Sequence, residues 1–573
     1  GNISTENFQL GEFLDAPDIG AISMDGVVKG SGFSEEKRNT SFDGKIHYID
    51  YNNYRYNNIT VNGKLDKKLF DGTASIDDPN IELSMNGTID FNSSVPEFNF
   101  IANVGKANLQ KINLTKDSIS FNGKFNLDFT GDNLDNFKGT ARINEATLMR
   151  DGTRLPFDSL IISSTIENGV KTLVANSNEF DGTISGNFNI KDLPDAFLLF
   201  LNKYYPSYIK APQVPPANEV FNFDVTTRNI SDLMSLFSKD IKGFDYSHVT
   251  GKVDLSDHHF NLDADVPNFS YKQYVFTNTQ LNAVGTLSKL SVSGKMGNTI
   301  VNDTLNLPLT TFRIVAANDS SLVSISTGSN TALNKANING MVRFYQNGVK
   351  IRFDTTSFVL NGKTWGIEKN GELEFGNNFQ AQGQLFLTDG EQEVRRSTEP
   401  SSKGNWNDLN VTLKKVNIGD FSPLFLPKNR LEGIASGTIK VEDPYKKFNV
   451  TADIVTDQLR FDNDSLGGML AHVEYNNEAG ELTGNGKNTD PDHKIDYNFH
   501  LFTKDSLKAK NNLISATTQD YPIKFLERFL QPLFSDVEGY ITGPVSMSGP
   551  LDELNFTGKA KLHDAGLKVN FTQ

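Results

Sequence analysis

A chain of 573 residues is several times the length of an ordinary domain, so a single compact core is not expected. A formal net charge of −15, with no basic stripe interleaved with aromatics, argues against a nucleic-acid partner. The lack of cysteine removes thiol catalysis, disulfide frameworks and Cys-based metal sites, and it suits an oxidising compartment. These residues contain no signal peptide and no membrane-length apolar run. The chain opens at Gly1 without a methionine, and its last repeat breaks off at Phe571-Thr572-Gln573. It therefore reads as the middle of something longer, and a missing anchor says nothing about the parent.

Phe, Asn, Asp and Gly are plentiful while helical periods are few, which predicts an all-β architecture of many short strands. Phe8–Leu14 is a short amphipathic segment, and Gly20–Gly30 is an alternating strand with glycines on its oily side, where a sheet can curl. Strands follow at Ser41–Tyr51 and Asn57–Asp66. The stretch Asp77–Leu114 then supplies the template for the rest. Ile81, Leu83, Met85, Gly87, Ile89 and Phe91 alternate with polar residues, giving one oily face and one wet face. Asn92-Ser93-Ser94-Val95-Pro96 turns the chain, and Phe98, Phe100, Ala102 and Val104 return as an antiparallel neighbour. Ala107–Leu114 reads as a brief crossing segment.

The same order recurs. Gly123, Phe125, Leu127, Phe129 and Gly131, then Leu134, Phe137, Gly139, Ala141 and Ile143, follow the first crossing. Near the end, Ile523–Phe534 precedes Gly543, Val545, Met547 and Gly549, then Leu551, Phe556, Gly558, Ala560 and Leu562. Two weaker copies run from Ile230–Phe237 into Gly251–Leu255, with Val253, and from Ile418–Phe425 into Gly437–Val441, with Ile439. Four recurring crossings indicate a stacked modular array, with modules at 1–106, 107–227, 228–417, 418–522 and 523–573, and their uneven spacing argues against a strict-period solenoid. Leu193, Phe197, Phe200, Leu201, Tyr204 and Tyr208 share one helical face, with Pro194 in the first turn, predicting a helix that caps a sheet end. Ala211–Ala217 is a Pro-rich loop, and Asn218–Phe375 is the longest uninterrupted strand region. Within it, Asn361-Gly362 in Phe358–Ile367 is a hairpin turn. Thr388–Gly404, rich in Glu and Arg, reads as an exposed excursion.

The template DPNIELSMNGTIDF, followed by PEFNFIANVGKANLQKINL, resembles the large TamB/AsmA-type envelope proteins of Bacteroidota, which are similar to the bridge-like lipid-transfer group. FVLNGKTWGI at Phe358–Ile367 resembles a recurring stretch of that family. The resemblance covers most of the chain, and its strength lies in the order in which strand-and-turn motifs recur. It implies a periplasmic protein of the Gram-negative envelope that carries phospholipid or helps insert outer-membrane barrel proteins without catalytic residues. It further implies an N-terminal inner-membrane anchor and a C-terminal part that meets an Omp85-type barrel assembly protein, neither of which lies in these residues. The triplets at Asp117-Ser118-Ile119, Asp158-Ser159-Leu160, Asp303-Thr304-Leu305, Asp354-Thr355-Thr356, Asp464-Ser465-Leu466 and Asp505-Ser506-Leu507 are similar to the O-glycosylation acceptor pattern of exported Bacteroidota proteins.

Chemistry is sparse. The best metal candidate is Asp257–Asp265, where His259, Asn261, Asp263 and Asp265 share the face opposite Phe260, Leu262 and Ala264; a wet sheet face is the blander reading. Asp490-Pro491-Asp492-His493 reads as a turn. No cofactor and no enzyme activity are nominated, the enzyme alternative being a parallel β-helix acting on polysaccharide. The oily stripe is the informative feature, because each Phe, Leu or Ile left in water forfeits about 1.5–3 kcal/mol. The expected fold is a long, mainly antiparallel β-sheet curled into an open groove, a β-taco with short crossing helices. At about ten residues per strand and turn, and about 4.8 Å between strands, the trough is on the order of 200 Å long. Its expected lining is Ile81, Leu83, Met85, Ile89, Phe98, Phe100, Phe125, Leu127, Phe129, Val253, Leu255, Phe260, Leu262, Ile439, Val441, Val545 and Met547. The expected cargo is phospholipid acyl chains passing between inner and outer membranes. The alternative is a scaffold or chaperone that offers a sheet edge to nascent outer-membrane strands.

Overall fold

The computed structural model describes residues 1–573 except 32–36, 134, 217, 235–237, 302–305, 329–332, 377–380, 423–429, 445, 463, 508, 525–526, 528–533, 551–552 and 571–573. Expectations at Leu134, Phe237, Phe425, Leu551, Asp303-Thr304-Leu305, Phe571-Thr572-Gln573 and most of Ile523–Phe534 lie outside the described residues. The chain divides into two units, one of Gly1–Lys203 with Lys210–Gly294, the other of Tyr204–Ile209 with Lys295–Gln573. This is a coarser division than the five expected modules.

In the first unit every strand pairs antiparallel with the next strand of the long meander, from Asn2–Gln9 through Ile19–Ser31, Asn39–Tyr51 and Tyr54–Asp66 onward to Phe180–Asn187. Val220–Thr227, His248–Asp254, His259–Tyr271 and Tyr274–Thr286 continue the same sheet. Alternation sets the two faces, and a seam of β-bulges curls them. Register shifts fall at Thr5/Phe8, Ile19/Ile22, Val104/Ala107 and Asn122/Lys124. Asn7, Asn58 and Glu145 take positive φ beside that seam. Asn58 (φ 52°) breaks the alternation between Tyr56 and Ile59, which are three apart and both buried. Strands and connections take about fifteen residues each rather than ten, so the expected trough length per residue was too generous.

The second unit starts as the same meander and then forks. Strand Leu333–Tyr345 pairs through its C-terminal half with Gly348–Phe353 and through its N-terminal half with Thr356–Leu360. Thr356–Leu360 and Lys363–Ile367 form the predicted hairpin, with Asn361 (φ 48°) and Gly362 (φ 76°) in the left-handed conformation its tight turn requires. Lys363–Ile367 leads through Leu385–Thr388 to Glu393–Pro400 and Asn407–Asn417. The antiparallel order then runs to Phe534–Gly549, which pairs with both Asn555–Gly558 and Lys561–Val569. The expected excursion at Thr388–Gly404 is therefore largely a strand. Its charges mark a wet face: Glu393 pairs outward with Lys414 at 2.8 Å, while Val394 points inward.

Among the described residues the α-helices are α1 (Leu10–Leu14), α2 (Leu193–Tyr204), α3 (Ser231–Met234) and α4 (Ile418–Phe421). α3 and the fork interrupt the stretch Asn218–Phe375 that was expected to be uninterrupted. α2 follows the prediction at Phe200 and Tyr204, which are buried, but Leu201 and Tyr208 are exposed. The buried stripe is Ala196, Phe200 and Tyr204, spaced four apart, because that spacing keeps a narrow line on one side of a helix. Among the described residues no helix is long and apolar enough to cross a membrane.

Candidate functional site

Strand register turns the alternation of single strands into continuous rows across each sheet. In the first unit, directly paired residues run Val28, Phe42, Gly63, Gly72, Gly87, Phe100, Leu127, Ala141, Ile162, Ala175, Gly182, Val225, Val249, Ala264 and Leu281. All fifteen are apolar or glycine, and every one is partly exposed, neither sealed nor open to bulk water. With about 4.8 Å between neighbouring strands, the row is roughly 67 Å long. A parallel row joins Met85, Ala102, Phe125, Ile143 and Leu160. Another joins Ile89, Phe98 and Phe129, whose last two rings stack at 4.8 Å.

The second unit repeats the device. Ile367, Leu387, Val394, Leu413, Gly437, Ile454, Ala471, Gly486, Tyr497, Ala516 and Val545 form one row. All are apolar or glycine apart from the tyrosine hydroxyl, and all are partly exposed. Beside it run Val411, Ile439, Ala452, Val473, Gly484, Phe499, Ile514 and Met547. The reverse face is polar, as in the row Asp453, His472, Asn485, Asn498 and Ser515.

Glycines set the height of the lining. A Cβ on Gly44 would lie 2.6 Å from the Phe42 ring, and one on Gly63 would lie 2.6 Å from the Phe70 ring. Without those Cβ atoms the rings lie down along the sheet instead of standing into the furrow, the same rescue of glycine by aromatics used in sheet design.

Described residues of the chain cover this face in several places. Past strand Glu97–Asn108, the crossing segment brings Ile112 onto Tyr56 and Ile59, where it is 1% exposed. The Asn113 Nδ2 holds it there by donating to the carbonyls of Asn52 (3.2 Å) and Asn53 (3.1 Å). In α2, Phe197 meets Phe221, Phe223 and Phe260 with ring centroids about 6 Å apart. Val253 and Leu255 are buried in the same neighbourhood of the sequence. α4 brings Phe421 against Trp365, which is wholly buried. Beside it the buried Asp420 carboxylate accepts from Lys363 Nζ at 2.7 Å and Asn361 Nδ2 at 3.0 Å.

Of the seventeen expected lining residues, sixteen lie on strands and Leu255 lies in the turn after His248–Asp254, and their surroundings differ. Ile81, Leu83, Met85, Ile89, Phe98, Phe100, Phe125, Leu127, Phe129, Leu262, Ile439, Val545 and Met547 are partly exposed. Val253, Leu255 and Val441 are buried, and Phe260 lies against α2. The reading of single stretches missed Val28, Phe42, Ile162, Val225, Leu281 and Leu413 as members of the rows. Their own strands alternate, which was the available signal.

The polar face carries cross-strand ion pairs. His472 Nδ1 meets Asp453 at 2.7 Å and its Nε2 meets Glu474 at 3.3 Å, and the bond to Asp453 chiefly holds the imidazole pKa above its ordinary value. In the expected metal stretch, Asp263 accepts from Asn282 Nδ2 at 2.8 Å, and His259 pairs with Asp257 at 3.6 Å. Asp490 accepts the backbone N–H of Asp492 at 2.9 Å as a turn residue, and this bond lowers its pKa. Among the described residues no three His, Asp or Glu side chains converge as metal ligands. Comparison with protein-family models, with curated proteins and with solved structures returns no match.

Proposed function

We propose that this protein is a non-catalytic carrier whose apolar sheet face holds the acyl chains of phospholipid. The observation that supports this most is the fifteen-residue row of the first unit, apolar throughout and partly exposed at every position. Folded proteins cover such surface or use it, because water contact costs roughly 25 cal/mol for each Å² of apolar area. A row of roughly 67 Å accommodates several chains side by side, since one leaflet's chains extend about half of the roughly 30 Å hydrocarbon core. The polar reverse face and rims leave head groups in water. No acid–base pair, nucleophile or metal is needed for this task.

The resemblance to TamB/AsmA-type proteins adds a setting to the reading. In that setting the chain spans part of the periplasm between the two membranes, and the resemblance implies an inner-membrane anchor and an Omp85-type partner protein. The test is site-specific photocrosslinking in cells. A benzophenone residue at Leu127 or Leu413 should capture phospholipid, and one at Asn126, on the polar face, should not. Capture of unfolded outer-membrane protein at Leu127 in place of lipid would transfer the assignment to an assembly scaffold. Equal lipid capture at Asn126 would defeat the carrier reading.

A further inference from the structure

On the polar face of the second unit, strands Asn306–Ala317, Ser320–Thr327, Leu333–Tyr345 and Gly348–Phe353 enclose a depression of about 690 Å³. Arg313, Arg352 and Lys369 line it with a single carboxylate, Asp354, which lies 3.8 Å from Lys369. Neither guanidinium has an ion-pair partner among the described residues. The carboxylate opposite Arg352, that of Glu372, is engaged by Lys350 at 2.7 Å. Between the two arginines the floor is apolar, with Leu322 60% exposed beside Met341. A cationic hollow with a greasy floor stands out on a chain of net charge −15.

We propose that this hollow docks an extended acidic segment of a protein partner. The spacing favours an extended ligand over a single phosphate. Register places Arg313 three strands and two residues from Arg352, roughly 16 Å between Cα atoms. Carboxylates two to four residues apart on an extended peptide match two arginines set this far apart without drawing their side chains together, as one tetrahedral anion would require. An apolar residue between those carboxylates then covers Leu322 and Met341. Arginine suits the task because its planar fork binds carboxylate through paired hydrogen bonds. The inference is independent of what the apolar face carries.

The experiment is fluorescence anisotropy of the full chain with a labelled short peptide in which Glu alternates with Leu, Val and Ser. The peptide should bind in low salt, and raising the salt to about 0.5 M should weaken binding because exposed charge pairs are screened. The R313Q/R352Q variant should bind at least tenfold more weakly, and Leu322→Ser several-fold more weakly with its charges intact. Circular dichroism checks folding, and the single variant Arg352→Gln stands in if the double variant is unfolded. Equal binding of a Gln-for-Glu peptide, or unchanged binding by the variants, overturns the proposal. Arginine-dependent binding of phosphatidylglycerol vesicles without peptide binding also overturns it, by assigning the hollow to a membrane surface.

Discussion

Trp365 in the second unit and Leu127 in the first sit on the apolar face of the same kind of sheet, yet they end differently. Trp365 is wholly buried, with Phe358 stacked beside it and Phe421 of α4 edge-on at 5.2 Å. Leu127 lies between Phe100 and Ala141 in its row and stays partly exposed. The difference lies in what the chain lays over each. Where a crossing segment or short helix arrives, the face becomes an ordinary core; along the rows it remains a half-covered surface. Under the proposed carrier function, stability and cargo binding fall to different residues.

Variants can separate the two. Trp365→Ala should produce the largest loss, about 3–5 kcal/mol, because a cavity replaces a filled core. Its melting midpoint should fall while lipid bound per folded molecule is retained; equal losses at both readouts would erase the distinction. Leu127→Asp and Val545→Asp should do the reverse. The carboxylate meets water on a half-open face, so melting should shift little while co-purified lipid falls at least fivefold by mass spectrometry. Unfolding of both variants would mean that the rows are sealed cores. Asn113→Ala removes the amide that ties the crossing segment to the Asn52–Asn53 turn, and should cost about 1 kcal/mol. Faster hydrogen exchange confined to that turn and crossing is the expected signature.

The smallest effect concerns pH. His472 is more basic in the folded protein because of its bond to Asp453. Its contribution is therefore complete below the ordinary histidine value of about 6.5 and is lost as pH rises through the higher folded value. Exposure limits it to less than about 1 kcal/mol. Melting midpoints of wild type and His472→Gln should differ on the acid side and converge at alkaline pH. A gap that widens with rising pH would reverse the sign and contradict the pairing.

Much of the fold was legible because strand alternation is a local signal. Ile81 to Ile89 and Phe98 to Phe100 needed only their own stretch. The rows were not legible, since register is a relation between strands and a shift of one residue exchanges the faces. Breaks in alternation add to this: nothing local in Tyr56-Asn57-Asn58-Ile59 says that Asn58 turns left-handed and that Tyr56 and Ile59 are both buried. The segment around Glu393 and Arg395 was read as a loop because charge on the outer face masked Val394 on the inner one. What covers Phe221 or Trp365 depends on contacts distant in sequence, from α2 and α4, and composition carries no trace of them.

The most direct test is the lipid content of the protein taken gently from its native cells, measured by native mass spectrometry and lipid extraction. The account predicts several phospholipids per chain, released when Leu127 and Val545 are both replaced by Asp. A lipid-free protein whose rows are closed upon themselves would contradict it.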